Sequence, residues 1–295
     1  MKWDFVKNKK IFFIVTLAVI AVGIVSIIVR GFNLDTDFTG GTTMQVEMGH
    51  QISSEEEEKI CSVLENTTGV AVSSFRRAGD GTQFLAKMKE IDSETRVKAF
   101  EALKTEFSLE DEALLSVASV GASVSADIRN AAVLSTVIAI VLMLAYISIR
   151  FDLSSGLAAV SCLAHDIFIM IAAYSLLQIP MNSTMIAALL TILGYSINAT
   201  IIIFDRIRES RRRNSKASFE EAVNTGISGT LTRSLFTSLT TLFTIGALYF
   251  VGVSSVKQFA LPIIIGIAAG LYSSVCLAGN LWCVYKKVFG RKKKA

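Results

Sequence analysis

Charge is scarce in this chain. Asp, Glu, Lys and Arg make up 18% of its 295 residues, hydrophobic residues make up 52%, and there are only two prolines. That balance excludes an ordinary soluble protein of this length. Cysteine is sparse and scattered: Cys61 stands alone in the most polar part of the chain, while Cys162, Cys276 and Cys283 fall in or beside apolar runs. No pair has metal-ligand spacing, and a lone cysteine has no local disulfide partner. Nucleophile elbows, metal motifs and phosphate-binding loops are missing as well, and the GYS that begins at Gly194 lacks the flanking pattern of a hydrolase. No enzymatic activity, cofactor or bound metal is expected.

What the chain has is long apolar runs. Crossing the hydrocarbon core takes about 20 mostly apolar helical residues, because lipid offers the backbone no hydrogen-bond partners. Six stretches qualify: 11–29, 131–149, 156–177, 184–204, 235–251 and 259–285. The first follows Lys7, Lys9 and Lys10 and precedes Arg30; its length and the missing small-x-small cleavage pattern make it an uncleaved anchor, not a signal peptide. Basic residues cluster before the first run, at Arg150, between Arg206 and Lys216, and in the tail from Lys286 to Lys294. Basic loops stay in the cytoplasm, so six spans with both termini inside fit every cluster. The same basic segments read as orientation signals resting on anionic lipid, without a nucleic-acid partner.

The expected organisation is a tail and first span (1–30), an extracytoplasmic domain (31–130), a five-helix membrane domain (131–285) and a basic cytoplasmic tail (286–295). Within 31–130, residues 42–48 alternate in the manner of a strand, and 53–65 form a helix opened by a capping serine before acidic residues. Residues 71–77 and 83–89 read as strands joined by a turn around Gly79, Asp80 and Gly81; 93–107 is a helix opening at another capping candidate, and 113–120 a final strand. The order βαββαβ predicts a small α+β ferredoxin-like domain. It carries no catalytic constellation, and His50 reads as a surface residue.

Polar groups inside apolar runs are costly and so informative. The fourth run contains Ser196, Asn198 and Thr200, which do not share one helix face; Gly194, Asn198 and Ile201 do, Thr191 and Tyr195 extend their stripe, and it reads as a seam against a neighbour approaching over Gly194. Arg233 stands at the entry to the fifth run among Thr230, Thr232, Thr237, Thr240 and Thr241. Two readings stand for it: a snorkelling arginine at the interface, or a functional charge within the bundle. Threonines alone read first as small-residue packing. Asp166, beside His165 about ten residues into the third run, should be paired, protonated or wetted, in a structural or a transport role.

Five segments together resemble the SecF side of the SecD/SecF protein-export family, over nearly the whole chain. They are DFTGGT at 37–42, VGASVSADIRNAA at 120–132, AHD at 164–166, ALLTILGYSINATIIIFDRIRE at 188–209 and TLTRSLFTSLTTL at 230–242. The resemblance implies a six-transmembrane-helix fold, half of a resistance-nodulation-division transporter completed by six similar spans from SecD. It implies use of the proton motive force to pull or release unfolded preprotein emerging from the SecYEG channel, with YajC as a further partner, in the inner membrane of a bacterial cell. An ion pathway would run past Arg233, Asp166, Asn198, Thr200, Ser196 and Thr237. One departure stands out: many relatives carry an aspartate after the fourth-span asparagine, and here that position is Ala199. The missing carboxylate is expected from SecD; alternatively Asp166 substitutes, or this half only supports the path. A sodium ion ligated by the nearby Ser, Asn and Thr is a further option, and half of a small-molecule or lipid exporter is the alternative function.

Overall fold

A computed structural model of the chain describes residues 4–78 and 81–292. They divide into two compact units, one comprising residues 34–133 and the other the remainder.

In the smaller unit the elements follow as β1 (Gly41–Glu47), α2 (Ser54–Thr68), β2 (Val72–Ala78), β3 (Gln83–Met88), α3 (Ser93–Phe107) and β4 (Leu114–Val120), after a first helix α1 (Lys9–Arg30) in the other unit. The sheet has the order β2-β3-β1-β4 with every neighbouring pair antiparallel. Placing β3 between β1 and β2 is the split-βαβ arrangement that the pattern predicted. Alternation puts Met44, Val46, Phe84, Ala86 and Met88 on one sheet face, where Ile60 and Leu64 of α2 and Ala99, Phe100 and Leu103 of α3 complete a buried core. Gly79 and Asp80 of the expected β2–β3 turn lie outside the described residues.

Both helices packed on the sheet are capped. Ser53 and Glu56 form a reciprocal capping box, the Glu56 N–H donating to Ser53 Oγ at 3.2 Å and the Ser53 N–H to Glu56 Oε2 at 2.8 Å. For α3 the cap is Asp92, not the expected Ser93: its carboxylate accepts from the Thr95 N–H at 2.7 Å, a charge-assisted bond at the positive end of the helix. His50 adds to the first cap, with Nε2 2.8 Å from Glu56 Oε1 and Nδ1 2.9 Å from the Met48 carbonyl. Two acceptors facing one imidazole favour its doubly protonated form.

The titrations of this pair follow from those contacts. The Ser53 N–H, with His50 second, holds Glu56 down to about 2, and the Glu56 hydrogen bond raises His50 above its ordinary 6.5. Glu56 therefore stabilises the cap above pH 4.5 and loses that effect as pH falls toward 2; His50 contributes fully below 6.5 and loses its share as pH rises through its raised value. The cap is strongest between pH 4.5 and 6.5. In an NMR titration the His50 ring is expected to show a raised midpoint that returns to its ordinary value in Glu56→Gln.

The larger unit holds α1, most of α4 (Ala122–Arg150), α5 (Leu153–Leu177), α6 (Ser183–Arg213), α7 (Phe219–Val251), α8 (Ser254–Tyr272) and α9 (Gly279–Lys292), the last two joined by a π-helical turn at Ser273–Ala278. Among the described residues six helical rods are long and apolar enough to cross a membrane, α8 through α9 counting as one. The helices outrun their apolar runs: α6 continues through Asp205 to Arg213, and α7 begins at Phe219, capped by Ser218 and Glu221. Hydropathy ends at the first charge, whereas Arg and Glu continue a helix readily.

Close packing between these helices uses glycine. A Cβ on Gly23 of α1 would lie 2.7 Å from Ala172 Cβ of α5, and one on Gly266 of α8 would lie 2.5 Å from Ile192 of α6. The Ser26 and Ser175 hydroxyls bond across the α1–α5 contact at 3.0 Å. Beyond these contacts, much of α1, α4 and α7 presents apolar side chains outward, including Ile14, Leu142, Phe236 and Phe243.

Candidate functional site

The polar residues of the spans separate into a buried group and an uncovered group. The buried group centres on Asp166, which has no exposed surface. Its position in α5 follows from the helical period: Ala158, Ala159, Cys162, Asp166 and Met170 form the face turned into the bundle. Three polar groups converge on its carboxyl. His165 Nδ1 lies 2.8 Å from Oδ1, Ser273 Oγ lies 2.8 Å from Oδ2, and Ser196 Oγ of α6 makes a short bond to the same oxygen. A carboxyl buried without such donors costs several kcal/mol, on the order of the effective penalty for an ion in a protein interior, so the hydroxyls are its replacement for water.

The π-turn shapes this site. Ser273 is its first residue, the Ser273 carbonyl is 3.7 Å from the Cys162 thiol, and Gly270 one turn earlier admits Ser196 close to the backbone of α8. His165 stacks at a tilt against Tyr272, ring centroids 6.0 Å apart. The Tyr272 hydroxyl donates to the Phe12 carbonyl at 2.8 Å and lies 3.3 Å from Thr16 Oγ1. Tyr272 thus ties α1 to the π-turn through its hydroxyl and meets His165 through its ring, while His165 and Ser196 bond Asp166. Ser273 and Tyr272 were not among the residues singled out from the sequence; the signal was there in a pair of serines one turn after Gly270 within an apolar run.

The uncovered group lies on α6 and α7. Asn198 is exposed, and a Cβ on Gly194 would meet nothing within 4 Å. Among the described residues, Thr191, Gly194 and Asn198 of the expected seam are exposed, whereas Tyr195 of the same stripe is half-buried and its hydroxyl reaches Ser238 of α7. Spacing tells which residues share a face, but not whether any helix covers it. Ser196 and Thr200 occupy the opposite, buried face, and the Thr200 hydroxyl has no hydrogen-bond partner among the described residues. Ala199 is half-buried between the two faces.

On α7 the hydroxyls divide in the same way. Thr230, Ser234 and Ser238 turn inward, the last accepting from the Tyr195 hydroxyl at 3.1 Å. Thr237, Thr240, Thr241 and Thr244 face outward and return their hydroxyls to carbonyls of their own helix at 2.8 to 3.0 Å. These hydroxyls are satisfied within their own helix. Arg233 also faces outward, and its guanidinium makes no hydrogen bond or ion pair among the described residues. It lines a cleft of about 470 Å³ with Ile202, Asp205, Arg206, Glu209, Gly229 and Thr230. The acidic residues there are committed elsewhere, Glu209 to Arg206 at 2.5 Å and to Arg213 at 2.6 Å, and Asp205 to Arg150 at 3.1 Å. No group of three or more His, Cys, Asp and Glu converges to hold a metal among the described residues.

The expected site residues thus fall into two sets. Asp166 and Ser196 touch one another, with Thr200 buried on the same helix face as Ser196, whereas Arg233, Asn198 and Thr237 lie on the uncovered surface. Six membrane helices joined to a split-βαβ sheet domain define half of a transporter of the resistance-nodulation-division type. Residues 99–288 match the family described as protein export membrane protein SecD/SecF, C-terminal, and residues 25–52 match the SecD/SecF GG motif. The chain belongs to the SecD/SecF family, and it is a multi-pass membrane protein.

The protein translocase subunit SecF of Acidaminococcus fermentans is 36% identical over 98% of this chain and 99% of that protein. The protein translocase subunit SecDF of Bacillus subtilis is 31% identical over 99% of this chain and 39% of its own length. The crystal structure of SecDF, a translocon-associated membrane protein from Thermus thermophilus, superimposes with a TM-score of 0.86 at 34% identity, covering 97% of this chain and 39% of that one. The chain thus spans about two fifths of the SecDF proteins it resembles, and nearly all of the SecF protein.

Proposed function

We propose that this chain is the SecF-like subunit of a SecD/SecF complex that uses the proton motive force to assist preprotein translocation and release through the Sec channel. The observation that carries the reading is Arg233, a guanidinium that, among the described residues, has no partner and stands exposed beside a polar cleft. A cation in an apolar span needs an acidic partner, and Ala199 cannot supply one. The six spans of SecD supply the covering helices and the carboxylate. Arg233 and Asn198 then line the path between the two halves, and Thr237 backs the arginine through its helix carbonyl.

In this reading the protein sits in the inner membrane of a bacterial cell with both termini in the cytoplasm and residues 31–130 outside. The outer domain moves with the helices and contacts unfolded preprotein leaving SecYEG, with YajC and membrane lipid as neighbours and no nucleic acid. The domain limits are those of the expected organisation, 1–30, 31–130, 131–285 and 286–295.

The test is export into inverted membrane vesicles from cells lacking the chain. Restoring it together with SecD is expected to raise gradient-dependent export several-fold; no difference between restored and depleted vesicles rejects the reading. Ala199→Asp is expected to assemble with SecD and to change the pH dependence of that stimulation. Loss of assembly would mean that the pocket beside Ala199 is packed shut in the complex.

A further inference from the structure

We infer that Asp166 and His165 form a proton-binding pair inside this chain's own helices, separate from the uncovered Arg233 face. Its use in coupling rests on the proposed function, but its existence does not.

The first argument is what surrounds the carboxyl. From α5 the ionisable groups facing it are His165 and Cys162; the π-turn brings the hydroxyl of Ser273, and α8 brings Tyr272 against His165, with Cys276 beside Tyr272; α6 brings the hydroxyl of Ser196; α1 brings Thr16, beyond Tyr272. From α9 Tyr285 reaches only Ser161, more than a turn away along α5. Among the described residues no Lys or Arg touches Asp166, so nothing holds it permanently ionised, as a salt bridge to a guanidinium would. Among the described residues the cation in contact with it is the imidazolium of His165, and that charge exists only when a proton has arrived.

The second argument is that every partner serves either protonation state. Ser196 and Ser273 are hydroxyls, which donate and accept by rotation. Ser273 Oγ already has a second acceptor, the Gly270 carbonyl at 3.3 Å. His165 Nδ1 donates in one tautomer and accepts in the other. The Asp166 carboxyl therefore keeps its two hydroxyls and the imidazole Nδ1 as partners in either state, without moving the backbone. A network built only to tie three helices together has no need of this ambivalence.

The third argument is the π-turn, a local departure from helix geometry that occurs mostly where a site requires it. Here it begins at the residue that donates to Asp166, and Gly270 one turn before makes room for the other hydroxyl.

The proton balance is simple. In the empty state Asp166 is a carboxylate and His165 is neutral, with its proton on Nδ1. One proton binds at His165 Nε2; the Nδ1–H bond then breaks as Oδ1–H forms, which leaves a neutral carboxylic acid beside the other imidazole tautomer. The pair passes from one negative charge to none, at the point where α5, α6 and the π-turn meet. Packing of these three elements thereby becomes sensitive to proton occupancy.

Infrared difference spectroscopy of the full chain in lipid, recorded across a pH series, tests the pair directly. A buried carboxyl band that titrates is expected, absent in Asp166→Asn and shifted in midpoint in His165→Gln. A wild-type spectrum without a band that Asp166→Asn removes overturns the inference. If Asp166→Asn does not fold, an unshifted midpoint in His165→Gln overturns it instead. The outcome separates from that of the proposed function: a titrating pair in a chain that does not stimulate export leaves the pair standing and removes the SecF-like reading, and active export with no titrating band does the reverse.

Discussion

Vesicles carrying Arg233→Met are expected to lose the gradient-dependent part of export while the chain still assembles with SecD. Methionine keeps most of the length and apolar stem of arginine and removes the charge. Arg233 is exposed within this chain and makes no ion pair or hydrogen bond among the described residues, so its removal breaks no contact that holds the helices together. Substitutions at such positions usually change stability by no more than about 0.5 kcal/mol. The loss, if it comes, is one of function and not of folding. Arg233→Lys refines the result, because it keeps the charge and discards the planar fork that recognises a carboxylate. Partial export with lysine is expected; full export with methionine removes Arg233 from the mechanism.

The second large effect is expected at Gly41. Its φ of +112° lies where side chains are rarely tolerated, and a Cβ there would be 2.4 Å from the Met88 carbonyl oxygen, which belongs to backbone and has little room to move. Thr42 beside it is paired with Met88, so relieving the clash opens the β1–β3 ladder at its end. Gly41→Ala should therefore cost the sheet domain roughly 3 kcal/mol, the upper range of backbone strain. Limited proteolysis of membranes is the readout: early cleavage within residues 34–133 is expected, with the spans protected. Wild-type resistance would mean that the strand end shifts more cheaply than its geometry indicates. The same clash gives a physical reason for a glycine in the GG motif of this family.

Much of the architecture was legible because it depends on local patterns. Alternation in 42–48 and 83–89 and the capping serine at 53 yielded strands and helix in nearly the observed places, and their order implied the sheet topology. Apolar length located all six spans. Ends were less legible where charges continue a helix, as from Asp205 to Arg213, because hydropathy measures contact with lipid and not backbone conformation. The cap of α3 fell on Asp92 because a carboxylate outcompeted the serine beside it for the free N–H groups.

The candidate site was legible in its residue types and only partly in its grouping. Asp166 and Ser196 were named separately, on different helices, and nothing in their spacing said that they touch. Ser273 went unnoticed because a serine in an apolar helix looks like packing until a carboxyl is found opposite it. Asn198 was read as buried because its helix face contains a glycine, and small residues mark close contacts; in this chain that face is open.

By itself, then, the amino-acid sequence determined the membrane class, the span count and the βαββαβ order, since each follows from periodicity and composition over many residues, and its five motif segments carried the resemblance to the family. Only the tertiary structure decided which polar groups meet and which face outward. Helix period fixes a residue's direction relative to its own axis, whereas contact depends on how separate helices cross and on local departures such as the π-turn at Ser273. That is why Asp166 gained a histidine and two serines as partners, while Arg233 was left without a partner among the described residues.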